Sequence, residues 1–450
     1  MTGTENSEQQ LLDDPDGLAA AKKKERVKAR WSLLRETLMG SKSSASTSKH
    51  SMNSFAGFQV LDRKFIEDSG ELSDLFARCP NLDEGQDGGA LSSWDFVQNS
   101  YTCKEGRKIQ FITREVKRLH QQSEQQLTSQ SSMKSRVEAL LSHRNHGVDN
   151  TGNVRVWDAE ATLAGFLLSV LLCEDFDDLG YYYQETSEIS KIIGLRSRIK
   201  NVLFAHDESI STDGCAETCN VLELGAGQAG LAGLGLASAT NSFDGLKPLK
   251  LVLTDGHPKC VENNRVCSST IMPKRKDAVS IDSQLLLWDS SANGAEECER
   301  IVNECRKSSS LEESSDEGLF HLCLASDCVH FQEFHDGMFV TIARTLAVGG
   351  IALLCQPRRG SSLSNFMTLI DAVNSASASS GDVPLFQMDL MEDFHPKVSK
   401  VHRSIATTST CYDPNWHRPM LLVMTKLRSF DEDIDGRLAR KFVKTYINVK

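Results

Sequence analysis

Residues 220–237 read NVLELGAGQAGLAGLGLA, an apolar run that breaks into glycines and resumes as small helix-forming residues. Gly225, Gly227 and Gly230 have the spacing Gly-x-Gly-x-x-Gly. Between a strand and a helix, such a loop presents backbone N–H groups at a helix N-terminus and lets a ligand approach the main chain closely. Two ligands suit it. The pyrophosphate of a nicotinamide dinucleotide would make the chain an oxidoreductase. The methionine end of S-adenosylmethionine would make it a methyltransferase acting on a protein, a small molecule or RNA. Carboxylates weigh on that choice, because Glu223, Asp255, Asp289 and Asp327 stand at or near the ends of four predicted strands. Ligands of open α/β sheets bind beyond those ends, where four acids would repel a pyrophosphate and attract a sulfonium and an ammonium group. Asp255 taken alone does not discriminate, since either cofactor offers it a ribose diol. It is expected as an exposed ligand contact.

The loop needs a scaffold, and seven segments read as its strands: NVLEL, LKLVLTD, VSIDSQLLLWD, LFHLCLASD, GGIALLCQP, LFQMDLM and MLLVMTKL. Helical segments separate most of the first five, which predicts an α/β fold with a parallel sheet covered on both faces. Seven strands with one antiparallel member fit the pattern. A helix is expected near 158–173, a polar insertion near 175–218, and a serine-rich acidic surface loop at 305–318. EDFHPKVSKVHRSIATTSTCYDPNWHRP, between the last two strands, is too irregular to be assigned to a crossover helix.

Upstream, residues 1–54 read as largely disordered, with a short amphipathic helix near 25–39 carrying Trp31, Leu34 and Leu38. Residues 55–146 read as a small accessory module, in which YTCKEGRKIQFITREV is a strand-turn-strand with Gly106 in the turn. Residues 428–450 read as a C-terminal tail. A net charge of −11 over 450 residues argues against a general nucleic-acid binder. With no run of about 18 apolar residues and a polar, acidic start, the chain is expected to be soluble and intracellular, with no membrane partner. Thirteen cysteines without a Cys-x-x-Cys pair support neither a disulfide framework nor a metal site.

These motifs resemble a known family. The glycine loop, LTDG, LLLWD and LASD, preceded by NTGNVRVWDAEATLA, look like the seven-strand, class I lysine methyltransferases related to the methyltransferase-like 21 proteins. DNTGNVRVW (149–157), QPRRGSSLSNF (356–366), HRPMLLVMTK (417–426) and RWSLLRETL (30–38) narrow the similarity to the branch that modifies calmodulin. The resemblance covers most of residues 147–427. It implies a Rossmann-like seven-stranded sheet, mostly parallel with one antiparallel strand, and S-adenosylmethionine as cofactor. The implied substrate is a lysine of calmodulin, methylated up to trimethyl-lysine, in the cytoplasm and nucleus.

Carried over position by position, the resemblance assigns cofactor contacts to Trp157, Gly225, Ala226, Gly227, Asp255, Trp288 and Ser326, with Glu223 a frequent companion of such loops. Trp288 would wall the adenine, Trp157 would enclose the methionine portion, and Ser326 would act through its backbone. Asp327 is the candidate for orienting the incoming ammonium group. Relatives usually follow this strand with an acid, two residues and an aromatic; here Asp327, Cys328 and Val329 lead to His330, with Phe331 one place later. Either His330 substitutes or Phe331 shifts into the position. An acidic enzyme meeting calmodulin needs local basic surface, for which AKKKERVKARW (21–31), KEGRKIQFITREVKR (104–118) and PRRG (357–360) are available. Arg358 and Arg359 are favoured, since they follow the fifth strand on the cofactor edge and paired arginines can grip a carboxylate bidentately.

Overall fold

A computed structural model describes residues 57–67, 69–78, 94–116, 156–172, 187–204, 218–240, 242–243, 245–271, 278–307, 319–379, 381–409 and 412–448. The helix expected near 25–39, the basic stretch at 21–31 and most of the serine-rich loop at 305–318 lie outside them.

β1 (Asp62–Phe65), β2 (Trp94–Thr102) and β3 (Lys108–Val116) form an antiparallel sheet with β2 in the middle. β2 and β3 are the expected hairpin, pairing Trp94 with Val116 and Thr102 with Lys108. Its turn closes with Cys103 N donating to Arg107 O at 3.0 Å and Gly106 N to Cys103 O at 3.1 Å. Gly106 there has φ 81°, which a side chain would disfavour. Between β1 and β2, α1 (Ser69–Arg78) packs Leu75 on Phe96.

α2 (Asp158–Leu172) is apolar almost all round and is correspondingly buried along nearly its whole length. α3 (Ser187–Leu203) lies inside the stretch expected as a polar insertion, yet Ile192, Leu195, Ile199 and Leu203 recur at helical spacing and join the main core. Strand and helix then alternate: β4 (Cys219–Leu224), α4 (Leu231–Ala239), β5 (Leu249–Asp255), α5 (Pro258–Ser269), β6 (Val279–Leu285), α6 (Ala292–Lys307), β7 (Phe320–Ser326), α7 (His335–Thr345), β8 (Leu346–Gln356) and α8 (Ser362–Ser379). β9 (Phe386–Met391) is followed by α9 (Pro396–Ile405) and a single helical turn, α10 (Pro414–His417), so the segment left unassigned from sequence is partly helical. β10 (Met420–Lys426) and α11 (Arg437–Asn448) complete the chain.

The seven strands take the order β6-β5-β4-β7-β8-β10-β9. β4, β5, β6, β7 and β8 run parallel, while β10 is antiparallel to both β8 and β9. Both faces of the sheet are buried, and successive residues serve opposite cores. Leu251 and Leu253 of β5 face α2 and α4, whereas Val252 faces the layer of α7 and α8. Phe111 of β3 joins the first of these cores against Gly235 of α4, and Arg114 Nε donates to Asn263 Oδ1 of α5 at 2.6 Å, so the N-terminal hairpin packs on two helices that cover the seven-stranded sheet. Contacts gather residues 54–450 into one unit.

The segment after Lys426, expected as a tail, belongs to this unit. Arg428 grips both oxygens of the fully buried Asp435 at 2.7 Å, and Ala439 and Val443 of α11 enter the second core. Removing Asp435 takes from Arg428 its only carboxylate partner among the described residues and from Asp431 N its acceptor, and leaves a void where a fully buried side chain stood. Asp435→Ala is expected to destabilise the protein by about 2 kcal/mol or more. Urea unfolding tests this, and an unchanged midpoint would return the segment to the status of a loose tail.

Candidate active site at the switch point of the sheet

β4 is flanked by β5 on one side and β7 on the other, so the connections leaving this point run in opposite directions and open a crevice above the strand ends. The chain leaves β4 through three left-handed glycines, Gly225 (φ 61°), Gly227 (φ 59°) and Gly230 (φ 52°). A Cβ on Gly225 would lie 2.7 Å from Cys328 Sγ and 3.0 Å from the Trp288 ring. Gly225 therefore allows both residues to close over the loop.

Asp255 holds this loop in place. Its Oδ2 accepts from Gly227 N at 2.9 Å and its Oδ1 from His257 N at 2.8 Å. From α5, Asn264 donates to Gly227 O at 3.1 Å, and Asn263 donates to Gln228 O. Neither asparagine was singled out from sequence; the signal is two adjacent amides on a helix whose other inward residues are apolar or cysteine. The expectation that Asp255 is exposed is corrected: it is buried, and burial raises its pKa to about 6. The Cys260 thiol is a third donor to it, and since a carboxylate has about four acceptor sites, capacity for a further hydroxyl remains.

Two further carboxylates are sealed beside the loop. Glu223 accepts from Gly233 N of α4 at 2.7 Å, and burial raises its pKa to about 7. Glu160 has the third helical position of α2, from which Oε1 accepts from Trp157 N at 3.3 Å, one half of a capping box. Its Oε2 is buried without a hydrogen-bond partner, and burial, with Glu223 and Glu115 nearby, pushes its pKa well up. Ser326 Oγ is likewise buried and unpartnered. Asp289 has a local task instead, accepting from Ser291 N at 2.9 Å and Ser291 Oγ at 2.6 Å. Cys328 is no nucleophile, since burial raises its pKa and its thiol donates to Leu224 O at 3.3 Å.

At the ends of the neighbouring strands β7 and β8, Asp327 (φ 55°) and Arg359 (φ 50°) are both left-handed without being glycine, a conformation costing on the order of 1–2 kcal/mol each. They form an ion pair, Arg359 Nε donating to Asp327 Oδ1 at 3.2 Å and Nη2 to Oδ2. The guanidinium carbon lies 5.5 Å from the Trp157 ring centroid and 5.7 Å from that of Trp416. The two arginines expected to dock a substrate together are thus separated: Arg359 is 15% exposed and turned inward, whereas Arg358 is 55% exposed and paired with Glu392 at 2.6 Å. His330 stands between Phe331 and Trp416, with ring centroids 4.7 and 6.4 Å away, while Phe331 turns on to Phe334 at 6.2 Å.

A family described as lysine methyltransferase matches residues 137–373. The chain belongs to this family. Its methyl donor is S-adenosylmethionine, and the buried polar surroundings of the loop suit that cation: three desolvated carboxylates, an orphaned carboxylate oxygen and an orphaned hydroxyl. Among known proteins, the chain is 28% identical over 213 residues to a calmodulin-lysine N-methyltransferase of Arabidopsis thaliana, an alignment spanning 46% of this chain and 56% of that protein. Similar solved structures include an rRNA methylase from Streptococcus thermophilus (10% identical, TM-score 0.27, 55% of this chain and 99% of that one). Another is the plantazolicin methyltransferase BpumL in complex with SAH (8% identical, TM-score 0.23, 60% and 97%). The fold assignment rests on this chain's own strand order. Among the described residues no helix is long and apolar enough to cross a membrane, and no group of three or more His, Cys, Asp or Glu could hold a metal ion.

The buried acids set a pH dependence. A carboxyl whose folded pKa is raised binds its proton more tightly in the folded state, so its contribution is lost as pH rises from the unfolded to the folded value. For Glu223 that window runs from 4.5 to about 7. Glu223→Gln, neutral throughout, is expected to gain stability relative to the parent as pH rises through this window and to hold the gain above it, about 3 kcal/mol in all, seen as a higher melting temperature. Thermal melts without cofactor at pH 5 and pH 8 test this; a pH-independent difference would show that Glu223 is not desolvated.

Proposed function

We propose that this chain methylates a lysine of calmodulin, up to trimethyl-lysine, with Trp157, Gly225, Ala226, Gly227, Asp255, Trp288 and Ser326 lining the donor site. The observation that carries this reading is the meeting, at the ends of β4, β5 and β7, of a glycine loop ringed by buried acids with Asp327 and an aromatic mouth. The choice of calmodulin is supported by the similarity to the Arabidopsis protein.

When bound, S-adenosylmethionine supplies an electrophilic methyl group on a sulfonium. The chain's own residues do the rest. Asp255, which fixes the loop, would hold the ribose diol, and Glu223 would act indirectly by anchoring α4. A substrate lysine with a pKa near 10.4 must lose its proton before it can attack, at a cost of roughly 4.6 kcal/mol at pH 7. Desolvation of the amine beside the aromatic pair of His330 and Phe331, whose ring centroids are 4.7 Å apart, lowers this by disfavouring the charged form. Holding the amine in line with the methyl group supplies several kcal/mol more. His330, which faces Trp416, takes the aromatic position that relatives fill after this strand; Phe331 backs it.

Arg358 remains the docking contact of the PRRG segment, and the exposed Lys400 and Arg403 of α9 extend the basic surface available to an acidic partner. Asp255→Ala is expected to weaken S-adenosylmethionine binding at least tenfold in calorimetry and also to lower the melting temperature, because Gly227 and His257 lose their acceptor. Unchanged affinity would remove Asp255 from the site. With labelled cofactor, purified calmodulin is expected to incorporate methyl groups, with KM raised by salt and by Arg358→Glu and activity reduced more by His330→Ala than by Phe331→Ala. If calmodulin stays unlabelled while another protein of a cell extract is labelled, the substrate assignment fails and the enzyme class stands.

A further inference from the structure

Arg359 is an unusual occupant of the mouth. Its guanidinium lies between two indoles at 5.5 and 5.7 Å and against the carboxylate of Asp327. Two aromatic faces and a carboxylate are the groups that bind an organic cation, and 6 Å is about the outer limit of useful cation-π attraction. The side chain is neither sealed in nor free: it is 15% exposed, whereas its neighbour Arg358 faces solvent and Glu392. Topology explains one wall. Because β10 runs antiparallel, its first residue Met420 pairs with Gln356 at the end of β8, which delivers the preceding turn α10 to the cofactor edge of the sheet. Arg359 N donates to Asn415 O at 2.9 Å and Gly360 N to Asn415 Oδ1 at 3.2 Å, tying that turn to the arginine loop. Trp416, carried on the same turn, is 42% exposed and lies beyond the residues that match the family.

We propose that Trp157, Trp416 and Asp327 form the entry site for the substrate lysine's alkylammonium group, and that Arg359 occupies this site as a placeholder which the lysine displaces. This rests on the lysine methyltransferase reading and adds to it a binding site and an internal competitor. The incoming ammonium exchanges one cation for another, so Asp327 is never left unpaired near the buried acids. From this outer site, which solvent reaches, the lysine gives its proton to water and meets the methyl donor as the neutral amine. Trp416 is thereby a substrate contact, and Arg359 a residue whose removal opens the site.

The test uses n-butylammonium, the cation of a lysine side chain, as a probe of the full chain by calorimetry. Arg359→Ala is expected to bind it saturably and at least tenfold more tightly than the parent protein, and adding Trp416→Ala, at an exposed position, is expected to abolish that gain. Arg359→Gln, which keeps a polar side chain there, serves if the alanine variant does not fold. In methylation assays Arg359→Gln is expected to lower KM for the protein substrate and Trp416→Ala to raise it, with S-adenosylmethionine affinity unchanged in both. Equal or absent butylammonium binding in the parent and both arginine variants overturns the inference. Because that measurement needs no turnover, the cation site can stand while calmodulin fails as substrate, and the inference can fail while calmodulin is methylated.

Discussion

One carboxylate, that of Asp255, holds the shape on which the site depends. Three left-handed glycines give the chain after β4 a conformation that nothing in their own side chains can fix. Fixing it falls to the next strand, whose terminal carboxylate takes the N–H of Gly227 with one oxygen and its own turn, through His257, with the other. Asn263 and Asn264 complete the hold from the helix that follows. The loop and β5 are thus tied into one unit.

The electrostatics follow from where this unit is buried. Glu160, Glu223 and Asp255 are each desolvated, and each has its pKa raised by that burial. Such a cluster opposes folding at neutral pH and favours a cation. A ligand carrying positive charge that binds only the folded state offsets this opposition, so the protein should be most stable when its methyl donor is bound. Buried acids of this kind disfavour a pyrophosphate beside them.

The mouth depends on sheet direction. Parallel strands β7 and β8 bring Asp327 and Arg359 to the cofactor edge side by side, and the reversed strand β10 brings α10 to that edge from the other end of the sequence. Strain at both residues of the ion pair is tolerated because each is held twice, by the pair and by a backbone bond: Asp327 N to Cys355 O and Arg359 N to Asn415 O, both 2.9 Å. The backbone bonds keep this edge in place whichever cation pairs with Asp327, which suits a reaction whose chief demand is alignment.

Local sequence determined the period and the breaks. Apolar runs separated by helical segments gave the seven strands, the Gly106 turn gave the hairpin, and the glycine spacing marked the left-handed loop after β4, because strand propensity and turn geometry act over a few residues. Tertiary structure alone decided what each side chain faces. α3 hides a helical apolar face among charged residues; the residues after Lys426 place Ala439 and Val443 in a core and bury Asp435 against Arg428; and Asp255 is buried rather than exposed. Above all, Arg358 and Arg359 are adjacent and chemically identical, and only the left-handed turn at Arg359, set by contacts with segments 30 to 200 residues away, sends one inward to Asp327, Trp157 and Trp416 and leaves the other in solvent.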